Sequence, residues 1–303
     1  MDDPFKQMKN LLERSRSEKI DLRTLPFIQS NLNLKIVNFN LRVIVIGAAL
    51  LLFAVLKVYL NNEECALVLP SELSKIFRPP VNCNFCENVT EVDRVANISP
   101  DEFEQRYAYT GRPVIVTDAT SSWTALETFD FWYFKEIYEE ARKRTNKLVN
   151  CQFFPYKSGF KTFYEAMSIP KERVDYQPGT DPWYFGWSNC NEDVAQILRE
   201  HYGRPYFLPK TSENNAIDWI FMGGSGLGAH MHVDNVRLPS WQAQIKGEKE
   251  WTLAPPPECY YQCSFMKATV STGDIIVLDT NRWYHKTNVL SGTISITIGA
   301  EYD

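Results

Sequence analysis

No long run of lysine or arginine occurs in this 303-residue sequence, and 32 Lys+Arg stand against 37 Asp+Glu, for a formal charge of -5. A general nucleic-acid or anionic-membrane binder is disfavoured, because either needs a basic surface to pair with phosphate. Glycines 223, 224, 226 and 228 do not make a phosphate cradle: no Gly-Lys-Ser/Thr accompanies them, and a strand pattern rather than a helix follows. No internal repeat is evident. Cysteine is sparse at seven residues, too few for a disulfide scaffold but more than a reducing compartment usually needs. Histidine is sparser still, with four residues at 201, 230, 232 and 285. The 44% apolar and 14% aromatic content supplies a packed core and excludes wholesale disorder.

Long hydrophobic runs are also rare. Val43 to Leu56 reads VIVIGAALLLFAVL without a charge, and Lys57 to Leu60 extends it if the lysine snorkels to the interface. This is read as a single membrane span, although its 14-residue core also suits a buried helix or a signal-peptide core. A polar leader precedes it and no small-residue cleavage site follows closely, so an uncleaved anchor is expected. Arg23, Lys35 and Arg42 precede the span, while the first ten residues after it carry no Lys or Arg; the N-terminus is therefore expected in the cytosol. The sequons Asn88-Val-Thr90 and Asn97-Ile-Ser99 then fall on the lumenal or extracellular side, together with all seven cysteines. Cys83-Asn-Phe-Cys86 lacks a second CxxC, which favours disulfide use over zinc or redox chemistry. An odd count leaves one thiol over, and Cys65 beside the membrane is the candidate for an intermolecular bond and a dimer.

The expected organisation is a cytosolic tail over 1–42, a signal anchor over 43–60, a proline-containing stem over 61–92 and a folded domain over 93–303. Ser99-Pro100-Asp-Glu102 predicts a helix start, with a capping serine and proline in the first turn. Val114 to Thr117 predicts a strand. Phe131, Phe134 and Tyr138 share one face of a helix over 129–144, and Asn191 caps a second helix over 192–202. From residue 216 the pattern changes to short strands: 217–222, 228–234, 240–246, 249–253, 267–270, 274–279, 283–287 and 293–300. Eight strands with no helix between them predict a sandwich or barrel, a mainly β fold decorated by the helices of 99–202.

Three of the four histidines fall in this strand region. His232 and Asp234 are two residues apart, so on a strand they project from one face. His285 lies on a later strand in Arg282-Trp-Tyr-His285. Two histidines and one carboxylate on one face of an ion, with other positions open, is the arrangement of non-haem Fe(II) oxygenases. The same donors also suit zinc in a hydrolase, although no general base stands at fixed spacing. His230, two residues before His232, is expected on the same side, as an outer-shell or substrate group or simply a surface histidine.

Gly226-Leu-Gly-Ala-His-Met-His-Val-Asp234, Ser240-Trp-Gln-Ala-Gln-Ile-Lys-Gly-Glu-Lys-Glu-Trp251, Thr272-Gly-Asp274 through Trp283-Tyr-His285, and Gly292-Thr-Ile-Ser-Ile-Thr297 together resemble the JmjC-type 2-oxoglutarate oxygenases. The nearest branch is that of the small protein hydroxylases, including the phosphatidylserine-receptor-like proteins and the hypoxia-factor asparaginyl hydroxylase. Gly111-Arg-Pro-Val-Ile-Val116 followed by Ala119-Thr-Ser-Ser-Trp123 resembles their first strand and turn. The likeness spans about residues 95–303. It implies a double-stranded β-helix of the jelly-roll, cupin type. It implies His232, Asp234 and His285 as ligands of Fe(II), with 2-oxoglutarate and O2 as co-substrates. Lys249 matches the lysine that meets the far carboxylate of 2-oxoglutarate, Thr297 a hydroxyl that shares it, and Gln242 a polar amide near the co-substrate. Ala229 departs from the pattern, since many relatives carry a hydroxyl there. The implied function is hydroxylation of protein side chains in the secretory pathway, with no nucleic-acid partner. A non-catalytic lumenal binding scaffold of the same fold is the alternative, besides the zinc hydrolase.

Overall fold

The computed structural model describes Glu13, Arg14, Ser17, Glu18, Gly47 and residues 80–144, 150–214, 217–224, 226–290 and 294–303. The expected span, the cytosolic tail and Cys65 lie outside these residues apart from the five isolated positions. Among the described residues no helix is long and apolar enough to cross a membrane. The chain divides into two units, Met1–Arg78 and Pro79–Asp303, and the second carries the fold.

Period-two alternation builds the larger sheet of this second unit. In β11 (Ser295–Glu301), Ile296, Ile298 and Ala300 point to one face and Ser295, Thr297 and Gly299 to the other. Trp241, Ala243 and Ile245 of β6 (Ser240–Lys246) repeat the pattern, as do Ile220 and Met222 of β5 (Asp218–Gly223). Four strands from earlier in the chain complete the sheet with β9 (Ile275–Leu278): β1 (Asp93–Val95), β2 (Val114–Val116), β3 (Asn150–Phe154) and β4 (Tyr184–Asn189). The eight run in the order β1-β2-β9-β6-β11-β5-β4-β3. The second sheet is β10-β7-β8, formed by β7 (Lys249–Ala254), β8 (Met266–Val270) and β10 (Tyr284–Val289). Two facing sheets, antiparallel except for the parallel β1–β2 pair and crossed by the Gly247 turn between β6 and β7, make a cupin-type jelly roll. Gly247 has φ +71°, and a Cβ there would stand 2.7 Å from the Ile294 carbonyl, so the crossing needs glycine.

Two cores flank the large sheet. On its outer face, Phe131, Phe134 and Tyr138 of the helix Phe131–Arg144 pack on the apolar side chains of β4, β5, β6 and β11. The expected face of that helix is the buried one. Between the sheets lies a second cluster, including Trp251, Leu253, Met266, Ile276, Leu278 and Trp283. It fills the end of the interior next to β2 and β9, and the opposite end holds polar side chains. Ser99 accepts from the Glu102 N–H and Asn191 from the Val194 N–H, as the capping patterns predict.

Several expectations are corrected. The residues before 216 do more than decorate, because β1 to β4 supply half of the eight-stranded sheet. Tyr184–Asn189 is buried on both faces and so lacks the alternation that marks a strand. The second helix stops at Arg199. The expected strand 228–234 is a broken ladder along β10. Val289 donates to Leu227 and Thr287 to Ala229, but His285 pairs with His232, one residue out of step. An extra residue between Ala229 and His232 is a bulge, which re-aims the side chains after it. Residues 80–92, expected in the stem, belong to the folded unit: Cys83 bonds Cys259 and Cys86 bonds Cys263. Cys190 is also disulfide-bonded.

Candidate active site

Gly228 lets the segment before the bulge press onto β10; a Cβ there would lie 2.0 Å from the Thr287 carbonyl oxygen. The bulge then carries His232 back into register with His285, and the Asp234 N–H donates to the Thr280 carbonyl at 2.9 Å. Three donors from two segments converge. His232 Nε2 is 3.4 Å from Asp234 Oδ1, His285 Nε2 is 3.8 Å from Asp234 Oδ2, and all three donor atoms lie within 4.8 Å of one another.

The other ring nitrogens settle the tautomers. His232 Nδ1 contacts the His230 carbonyl at 2.6 Å and His285 Nδ1 the Trp283 carbonyl at 3.0 Å. A carbonyl only accepts, so each Nδ1 carries a proton and each Nε2 is the nitrogen on the Asp234 side, available as a ligand atom when deprotonated. Burial pushes His285 down to about 4, which keeps it neutral. Burial also acts on Asp234 and would raise it, yet the two imidazoles hold the carboxylate below its usual range. At His232 burial opposes protonation, but the hydrogen bond to Asp234 outweighs it and raises the pKa. An ion that displaced the His232 Nε2 proton would meet two neutral imidazoles and one carboxylate on one side of a shared point, which fits a divalent ion with open positions. His230 does not join them. Its side chain is exposed, with its ring 6.3 Å from that of Tyr156.

Lys249 begins β7 and is buried, 1% exposed, on the interior face. Its Nζ donates to Thr297 Oγ1 at 2.7 Å and to Tyr184 Oη at 2.9 Å. Burial lowers it to about 7. Among the described residues the ammonium meets these two neutral hydroxyls and no carboxylate. Lys249 pairs across β10 with Val289, four residues along from His285, which is about 13 Å of strand. A lysine side chain and a five-carbon diacid together bridge that distance. The structure thus brings Lys249 and Thr297, the two residues singled out by the family resemblance, into direct contact. Gln242 lies on the interior face of β6 opposite Gly299, half-buried, and takes no part in the Lys249 hydrogen bonds.

Three residues of this interior carry no signal in the sequence pattern. Tyr184 holds Lys249, and the Thr287 hydroxyl stands beside Tyr184 while accepting from the Ala229 N–H at 3.0 Å. A hydroxyl from β10 therefore occupies the neighbourhood of Ala229, where the family pattern has one on the loop. Tyr156 packs at a tilt against Tyr184, with ring centroids 5.2 Å apart, and burial raises its pKa well above the usual value. Only the run of glycines before Ala229 hints at the close backbone approach here.

A two-sheet barrel with a two-histidine, one-carboxylate triad facing a buried lysine defines the class. The chain belongs to the cupin-like domain family, whose model matches residues 100–265. That match includes His232, Asp234 and Lys249 and stops short of His285 and Thr297. The resemblance to JmjC-type proteins is borne out among the relatives. The "Arginine-specific demethylase JMJ20" of Arabidopsis thaliana is 23% identical over 69% of this chain and 56% of its own length. The "2-oxoglutarate and iron-dependent oxygenase JMJD4" of Gallus gallus is 22% identical over 69% and 59%. The "Bifunctional arginine demethylase and lysyl-hydroxylase psr-1" of Caenorhabditis elegans is 24% identical over 57% and 42%. The chain thus spans about half the length of these curated relatives.

Proposed function

We propose that this protein is an Fe(II)- and 2-oxoglutarate-dependent oxygenase that hydroxylates protein side chains. The observation that carries the reading is the buried Lys249, held by two hydroxyls on the same interior as the triad. A buried ammonium without an anionic partner is costly, and a dicarboxylate anchored near the triad supplies that partner. A zinc hydrolase has no use for this lysine, and a binding scaffold has no use for the triad.

When bound, Fe(II) and 2-oxoglutarate would supply the electrons that activate O2, the oxidant, one oxygen atom going to the co-acid as it becomes succinate and CO2 and the other to the hydroxylated side chain. The chain's own residues place these groups and protect them. His232, Asp234 and His285 hold the ion, and the two backbone carbonyls keep each Nε2 free. Lys249 and Thr297 take the distal carboxylate, and Tyr184 fixes the lysine. Trp251, stacked 5.8 Å from the His285 ring, closes the inner side against water. His232 and Asp234, about one-third exposed, face the side from which substrate enters. Anaerobic titration of the protein with Fe(II) and 2-oxoglutarate, followed by O2 and succinate detection, tests this. Succinate formation is expected; zinc binding without turnover, or no metal binding, overturns it.

The proposal extends to location, as a type II membrane protein anchored by residues 43–60 with its folded unit in the secretory lumen or outside the cell. Disulfides at Cys83–Cys259 and Cys86–Cys263 support an oxidising compartment, and both sequon asparagines are exposed. In sealed microsomes the folded unit is expected to resist protease and to lose mass on glycosidase treatment. Digestion of that unit in intact vesicles overturns the assignment.

A further inference from the structure

Among the described residues, eight large apolar side chains are exposed, and three of them fall within one six-residue stretch: Tyr260 at 49%, Tyr261 at 101% and Phe265 at 56%. Tyr260 and Phe265 are in ring contact, tilted, with centroids 5.2 Å apart. The stretch is rigid. Cys259 and Cys263 beneath it are disulfide-bonded to Cys83 and Cys86, and Glu87 bridges Cys263. It is also nearly free of charge, since residues 255–266 carry only Glu258. Glu258 Oε1 in turn accepts the Val81 N–H at 3.0 Å.

The point where the chain enters the folded unit indicates what covers this knuckle. Val81 and Cys83 are the residues that arrive from the expected span, and they are bonded to the knuckle itself. Residues 61–80 reach at most about 70 Å when extended and less with Pro70, Pro79 and Pro80 in them. The tether therefore ends beside a cluster of exposed aromatic side chains in which Glu258 and the bridging Glu87 are the acidic groups. Tyrosine and phenylalanine, with an apolar ring and, in tyrosine, a polar tip, are the side chains that settle at a bilayer's headgroup level. Asn88 follows directly on the Glu87 bridge, so a glycan there stands at the rim and limits contact to the headgroup layer.

We propose that Tyr260, Tyr261 and Phe265 form a disulfide-stapled contact with the lipid headgroup layer of the membrane in which the chain is anchored. The proposal rests on the anchored reading of residues 43–60. Its test uses the full chain made in microsomes with Tyr261→p-benzoylphenylalanine, and Trp132→p-benzoylphenylalanine as an exposed control. On irradiation a lipid adduct is expected from position 261 and none from position 132. Alkaline carbonate extraction of the same vesicles reports the anchor separately. Retention of the chain without a lipid adduct at 261 overturns the contact alone, and a protein adduct there does the same in favour of a protein partner. Release by carbonate overturns the anchored reading and the contact with it.

Discussion

His232 and Asp234 stand about one-third exposed on a bulged segment outside the named strands, whereas Lys249, Thr297 and Tyr184 are buried within the paired strands β7, β11 and β4. The two ends of one interior are thus built on different principles. The metal end is open and depends on backbone placed by a single extra residue. The lysine end is closed, and its cost is already present in the fold, since an ammonium is held there by neutral groups. Ion binding is therefore expected to fail all at once when a donor is lost, and co-substrate binding to weaken by degrees.

The largest effect separates the two ends most sharply. Asp234→Ala or His285→Ala removes one of three donors and is expected to abolish Fe(II) retention and succinate formation, because two donors no longer define a facial site. Isothermal titration with Fe(II) and a thermal melt check it. Unchanged turnover in either variant would remove the triad.

Lys249→Ala is the counterpart at the closed end. Charge-assisted bonds of this kind contribute about 1.5–3 kcal/mol. The half-saturating 2-oxoglutarate concentration is therefore expected to rise roughly ten- to hundredfold, with Fe(II) binding little changed. Equal co-substrate titrations for the variant and the wild type would leave Lys249 a merely structural lysine and take away the main support for the oxygenase reading.

The same contrast governs what is legible in the sequence. His232 and Asp234 stand out because histidine is scarce and their spacing puts two donors on one side of extended backbone. The bulge does not, because one extra residue between Ala229 and His232 leaves no trace in composition, and so a plain period of two does not describe His230. Lys249 and Thr297 emerge only through family resemblance, since a lysine after a glycine turn is ordinarily solvated. Tyr184 and Tyr156 escape because they come from the aromatic-rich stretch before residue 216, where both faces of β4 are buried and no alternation shows which side chain points inward. The Cys83–Cys259 and Cys86–Cys263 pairings depend on contacts across 176 and 177 residues. The span itself lies outside the described residues.

A pH series sharpens the comparison further. Burial lowers Lys249 from the usual lysine value to about 7 in the absence of an anion. Below that pH the free site holds an ammonium; above it the amine predominates, and a carboxylate must bind together with a proton. Apparent 2-oxoglutarate affinity is thus expected to be flat below about pH 7 and to fall by up to about tenfold per unit above it. Lys249→Ala should flatten the upper limb. A slope that persists in the variant would assign the titration to another group.

The smallest effect asks whether the hydroxyls around Lys249 serve the ligand or only the lysine. Thr297→Val removes a neutral acceptor 2.7 Å from Nζ and preserves shape, so the expected loss is that of a neutral hydrogen bond, about 0.5–1.5 kcal/mol, or roughly two- to tenfold in co-substrate affinity. Tyr184→Phe removes the other acceptor, 2.9 Å from Nζ, and also the group beside Thr287. If Thr297 meets the carboxylate as well as the lysine, its variant weakens 2-oxoglutarate binding while Tyr184→Phe acts mainly through lysine position, and adding Lys249→Ala leaves a residual Thr297 effect. If both hydroxyls only hold the lysine, the two variants lower the melting temperature alike and neither matters once Lys249 is gone. The double-mutant cycle between Thr297→Val and Lys249→Ala, read on co-substrate affinity and on melting temperature together, distinguishes the two.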